Sequence, residues 1–269
     1  TRFCLGTTLI TEFRSHFYSA SVSVLTKALP RPIARRVVPR AALPALGEEF
    51  ALKNIRIWFT KSGAAKYISH LDLNRCVARA FHKAKLPMWY TEGFNPHAFV
   101  TFALPLALGV QGRHESMDIR MLEELPKAEI LHRLNEGLPQ GIRVYDVTEP
   151  KMKPGEIVYA EYEMDCCTEC KSAQELRKDM EAFLARDEIL AEKKTKSGVK
   201  TLNLSNYLDK CKLSLRGDGV LLYLILPAGS GENINPGLLT QAMQAHLGYD
   251  LFVQTARGHL YNAVFEIFA

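Results

Sequence analysis

Apolar and polar positions alternate along Ile55, Arg56, Ile57, Trp58 and Phe59, the period of a strand with one buried face. Residues 60–63 (TKSG) supply a turn. Ser69 is a capping residue for a helix to about residue 84, with Leu71, Leu73, Val77, Ala80 and Phe81 on its buried face. The pattern then predicts strands at 98–104 and 117–122, a helix from Pro126 to about residue 135 stopped by Gly137, and a strand at 142–147. The order is β-α-β-β-α-β, and it recurs. Residues 156–164 read as a strand and 172–185 as a helix. Residues 189–194 and 199–204 read as one interrupted strand or a hairpin, 220–226 as a strand, 236–247 as a helix and 251–264 as strand-like. The predicted fold is α+β: two tandem ferredoxin-like (βαββαβ) units with antiparallel sheets, at residues 51–152 and 153–269. The repeat is one of element order, because the letters of the halves barely match.

Residues 1–50 differ from the rest. Arg2, Arg14, Arg31, Arg35, Arg36 and Arg40 face a single acid, Glu12, before Glu48, and four prolines interrupt any helix. The composition reads as an organellar transit segment, or equally as upstream sequence joined to the domain. Residues 1–50 are therefore expected to be a poorly ordered basic leader, with a flexible linker at 30–47.

Composition narrows the class without choosing a function. Hydrophobic residues make up 47% and charged residues 23% of the 269-residue chain, which suits a globular protein with a sizeable core. The net charge of +5 permits nucleic-acid binding but does not require it. No run of 18 apolar residues occurs, so no membrane span is expected. The six cysteines show no disulfide spacing, which points to a reducing cytoplasm. Cys166 and Cys170 have the first spacing of the CxxxCxxC cluster motif of radical SAM enzymes, but Ala173 stands where the third cysteine would be. The chain is not expected to hold that cluster, nor any other cofactor or metal.

Four stretches could carry chemistry. In 67–73 (YISHLDL), His70 and Asp72 sit at a helix N-terminus, where N–H groups and the helix dipole favour an anion. Helix capping accounts for Asp72 equally well. In 91–97 (TEGFNPH), Glu92, Asn95 and His97 lie in a stiff loop; a plain turn needs its Gly93 and Pro96 but not an amide and an imidazole beside them. His70, Asp72 and His97 have donors suited to zinc, though their spacing is nonspecific; either histidine could serve as a general acid or base. In 193–200 (KKTKSGVK), Lys193, Lys194, Lys196 and Lys200 form a cationic hairpin tip suited to phosphate, or merely solvated. In 228–233 (AGSGEN), glycines let backbone N–H groups approach an anion, but no lysine follows in the phosphate-loop pattern.

The runs SHLDL at 69–73, EGFNPH at 92–97 and FALPLALGV at 102–110 resemble those of the bacterial radical SAM-linked protein family, a domain of unknown function. KKTKSG at 193–198, AGSGENINP at 228–236 and RGHLY at 257–261 extend the resemblance from about residue 51 to the end. The family motif usually continues with a proline after EGFNPH, where this chain has Ala98. That domain occurs alone or fused behind a radical SAM protein, so the resemblance implies a partner more than a reaction. At the level of fold alone, tandem ferredoxin-like units also look like the RNA-processing endonucleases of CRISPR systems.

Three functions follow as expectations. The first is an accessory, substrate-binding module for a radical SAM enzyme, acting on RNA. His70, Asp72, Glu92, Asn95 and His97 would hold the substrate, and Lys193, Lys194, Lys196 and Lys200 its phosphates. The second is a stand-alone RNA-processing or RNA-modifying enzyme using His70 or His97. The third is a protein-interaction scaffold.

Overall fold

The computed structural model describes residues 52–195 and 198–269; the leader expected at 1–50 lies outside them. β1 (Lys53–Lys61) leads through a 3-10 turn into α1 (His70–Ala84), followed by β2 (Val100–Phe102), β3 (Gln111–Met121), α2 (Lys127–Gly137) and β4 (Ile142–Thr148). The second half runs β5 (Tyr159–Cys167), α3 (Ala173–Leu184), the hairpin β6 (Leu190–Thr195) and β7 (Gly198–Asn203), β8 (Lys212–Arg216), β9 (Gly219–Pro227), α4 (Pro236–Leu247) and β10 (Phe252–Tyr261). α1 and α3 begin on serine caps, and at α3 Glu175 reaches back to Ser172 to close a capping box. α4 starts at Pro236 and stops at Gly248 in the left-handed conformation that glycine adopts without strain.

The strands join in one eight-stranded sheet, ordered β4-β1-β3-β10-β5-β9-β8, with β2 beside β3. This corrects the expectation of separate antiparallel sheets. The halves meet through a parallel pairing of β3 with β10 that registers only two pairs, Gln111 with Ala256 and Gly112 with Arg257. The other pairings in the sheet are antiparallel. Residues 189–204 form a hairpin outside this sheet. β8 has no counterpart in the sequence reading, because KLSLR is too short and charged to show a clear period.

Alternation sets the two faces. Along β5, Ala160, Tyr162, Met164 and Cys166 are buried while Tyr159, Glu161, Glu163 and Asp165 are half-buried on the opposite side. The buried face carries two cores. One packs Ile57, Phe59, Met117 and Ile119 against Leu73, Val77 and Phe81 of α1 and Leu134 of α2. The other packs Met164, Leu222 and Leu224 against Met180 of α3 and Met243 of α4. Ala103, Leu106 and Val110, from the segment between β2 and β3, join the second core, so the halves interlock. Leu71, expected to be buried, is 68% exposed; it sits in the first turn, beyond the sheet that covers Leu73.

Beneath the two-pair seam lies a buried ion pair. Arg257 on β10 meets Glu115 on β3 through two hydrogen bonds, Nε to Oε1 at 3.0 Å and Nη2 to Oε2 at 2.6 Å. It also donates to the carbonyls of Pro105 (3.1 Å) and Leu104 (2.7 Å). Gly112 leaves room for this: a Cβ there would stand 2.3 Å from the Glu115 Cγ. Losing one partner strands the other as an uncompensated buried charge. Glu115→Gln and Arg257→Met are each expected to cost about 3–5 kcal/mol in urea unfolding. The double variant Glu115→Leu/Arg257→Met is expected to cost clearly less than their sum.

Candidate functional site

At the start of α1, the Ser69 hydroxyl accepts from the Asp72 backbone N–H at 3.2 Å and donates to the Asp72 carboxylate at 2.8 Å. Arg75 donates to the same carboxylate at 2.9 Å. The Ser69 hydroxyl and then Arg75 hold the Asp72 carboxyl below its ordinary value. Asp72 is thus engaged by its own helix. His70 is half-buried, edge-on to Phe102 at 5.2 Å between centroids. The Asn74 amide donates to His70 Nε2 at 3.1 Å and to the His70 carbonyl at 2.9 Å. Burial, and next the charge of Lys61, lower the His70 imidazole from its ordinary value, so it is neutral at pH 7. Lys61 itself is buried and donates to the Ile68 carbonyl at 2.6 Å.

The 91–97 loop precedes β2 and is pinched at its base by a bridge between Tyr90 and Ala98. Thr91 closes it: its hydroxyl lies 3.0 Å from His97 Nδ1 and accepts from the His97 backbone N–H at 3.2 Å. Glu92, Asn95 and His97 are exposed, and Phe94 is fully so at the tip. Among the described residues, no hydrogen bond, ion pair or ring contact joins His70 to this loop. In the cationic hairpin, Lys193 donates to the Asn233 carbonyl at 2.6 Å, tying β6 to the Gly-rich loop 228–233. Lys200 is exposed, across the ladder from Lys193. Lys194 pairs with Val199 through its backbone, whereas its side chain and all of Lys196 lie outside the described residues. Among the described residues the exposed thiols are those of Cys167 and Cys170, while burial pushes the Cys166 thiol up to about 12.

A second cluster occupies the sheet face away from the helices. The rings of His114 on β3 and His259 on β10 stack at 4.0 Å with planes 10° apart. His114 Nδ1 lies 3.0 Å from the Tyr145 hydroxyl on β4. All three residues sit where their strand carries one residue more than its partner. On β3 the register passes from Phe59–Glu115 to Lys61–Gly112, on β4 from Trp58–Asp146 to Phe59–Val144, and on β10 from Arg257–Tyr162 to Leu260–Ala160. Such bulges re-aim side chains and concentrate beside active sites. Alongside, Tyr261 donates to Glu161 at 2.7 Å, and Arg113 forks onto Glu163 at 2.7 and 2.6 Å. A Cβ on Gly258 would stand 2.4 Å from Glu161, so that glycine admits the carboxylate. Burial, then the His259 ring, hold His114 below the ordinary imidazole value. Burial, then Asp146, push the Tyr145 phenol up to about 12.

Stacked imidazoles present their lone pairs in two parallel planes, so the pair cannot close on a shared metal ion. Among the described residues, no group of three or more His, Cys, Asp or Glu side chains is arranged to hold one. No helix among the described residues is long and apolar enough to cross a membrane. Sequence reasoning missed this cluster because its members come from three strands. The signals were RGHLY, already notable as a motif, and a glycine two residues before His114 and directly before His259.

A family model described as "Uncharacterized protein conserved in bacteria (DUF2344)" matches residues 54–236, and the chain belongs to that family. A search of curated proteins finds no match.

Ser69→Ala is expected to cost about 1 kcal/mol in thermal or urea unfolding at pH 7. The sign with pH follows from Asp72. Its folded value is lowered, so the contribution is complete above the ordinary carboxylate range and disappears as pH falls through the lowered value. The gap between wild type and Ser69→Ala should therefore narrow in acid.

Proposed function

We propose that this member of the bacterial DUF2344 family is a substrate-binding module that takes single-stranded RNA and works in the cytoplasm beside a radical SAM enzyme. The observation that carries the RNA reading is the ring-lined sheet face at the junction of the halves, where bulges turn out His114, His259 and Tyr145. Unpaired bases stack on aromatic and imidazole rings, and a sheet surface is a common platform for them. The strand orders support reading each half as a ferredoxin-like unit. β4-β1-β3-β2 in the first half and β10-β5-β9-β8 in the second follow one pattern when counted from each half's first strand. Exposed Lys200 supplies positive charge for phosphate. The radical SAM partner rests on the motif resemblance. The exposed Tyr67, Leu71 and Leu108 offer apolar surface for it beside α1.

A labelled single-stranded RNA 20-mer, retained on filters by the full chain at several salt concentrations, tests the reading. Affinity should fall linearly in a log–log plot, and Lys200→Glu should flatten the slope by at least about one phosphate contact. Tyr145→Ala should weaken binding by about 1–3 kcal/mol if one base stacks there. Affinity that is absent or indifferent to salt would count against RNA.

A further inference from the structure

We propose that His114 and His259, oriented by Tyr145, form an acid–base centre that cleaves single-stranded RNA by internal transesterification. The inference rests on the RNA reading above and adds a reaction at the same face. One imidazole removes the proton from a ribose 2′-hydroxyl. The 2′-oxygen attacks the adjacent phosphorus, forming the P–O2′ bond as the P–O5′ bond breaks. The other imidazole, protonated, gives its proton to the departing 5′-oxygen. The products are a 2′,3′-cyclic phosphate and a 5′-hydroxyl; nothing is oxidised or reduced, and no cofactor is consumed.

The geometry supplies each element of that step. The reaction needs two proton-transfer groups side by side, one neutral and one charged. The two rings stack 4.0 Å apart with planes 10° apart, which puts two proton-transfer groups side by side at one place on the sheet face. Tyr145 occupies His114 Nδ1, which fixes the ring and leaves Nε2 free to act. In the tautomer whose Nδ1–H donates to the phenol oxygen, Nε2 carries the lone pair and can take a proton. Among the described residues, His259 makes no hydrogen bond that would tie its nitrogens to the fold. Two imidazolium charges at this distance repel. Burial and then the His259 ring disfavour the charge of His114, which suits it to the part of the base.

The charged neighbours leave the dyad in control of proton transfer. Arg113 on β3 and Glu163 on β5 neutralise each other, and Arg216 on β8 lies 3.8 Å from Glu163 and 3.6 Å from Asp165. Glu161 on β5 is occupied by Tyr261. Glu115 faces the opposite side of the sheet, held by Arg257. Asp146 on β4 acts on Tyr145. Substrate identity follows from the chemistry: RNA carries its nucleophile next to the phosphodiester, so a metal-free acid–base pair suffices, whereas DNA lacks that hydroxyl.

The test is incubation of the purified full chain with saturating end-labelled RNA 20-mer in a metal chelator, over a range of pH. Expected are fragments ending in 2′,3′-cyclic phosphate and a bell-shaped rate profile whose rising limb, set by His114 as base, lies on the acid side of the ordinary imidazole value. An all-deoxy strand should stay intact. His114→Gln and His259→Gln should each lower the saturated rate about 10²–10⁴-fold, with circular dichroism confirming the fold, and Tyr145→Phe should lower it less. RNA that is bound with salt-dependent affinity yet left intact by the wild type overturns the acid–base centre while the binding reading stands. Cleavage that persists in both glutamine variants also overturns it. RNA neither bound nor cleaved overturns both.

Discussion

The Arg257–Glu115 pair is the interaction on which the two halves depend. A seam of two registered pairs is too short to hold two four-stranded arrays in one sheet by backbone hydrogen bonds alone. The guanidinium extends it downward: it grips a carboxylate on β3 and two carbonyls of the segment that feeds Leu106 and Val110 into the second core. Burial works against its charge, and Glu115 with Tyr162 more than offset that, so the net effect raises the Arg257 value. Lys61 lies close enough to feel both partners, and burial, its largest influence, lowers it. One carboxylate thus faces two buried cations. Substituting it disturbs three strands at once.

The same two strands are clamped on their other face by the His114–His259 stack. Core side and solvent side of the junction are therefore different chemically, one a buried ion pair and the other a pair of stacked imidazole rings. The bulges make this possible. Without an extra residue in β3 and in β10, simple alternation would send one of each ring's neighbours outward instead.

Much of the architecture was legible in the sequence because it follows period. The α4 span 236–247 agrees with the sequence reading residue for residue. The β-α-β-β-α-β order of the first half is equally plain, whereas in the second half the strand or hairpin expected at 189–204 lies outside the main sheet and β8 takes its place. What period could not show is pairing between distant segments: nothing in Gln111, Gly112, Ala256 or Arg257 announces a parallel seam. Nor does it distinguish a histidine for the fold from one for a ligand. Asp72 and Lys193 looked chemical, and each has a partner within the fold. His114 fell between the predicted strands and His259 within one, and they lie together only once the bulges of β3 and β10 are placed.

The late-found strand β8 has a consequence of its own. A continuous sheet ends somewhere, and each end offers unpaired backbone to any passing extended chain. At one end stands β8, short, with Lys212 and Arg216 exposed along it. At the other stands β4, where Arg143 is exposed and the bulge at Tyr145 twists the strand. Both of these margins thus carry the features that discourage the addition of a further strand, so the sheet is closed to growth at β4 and at β8.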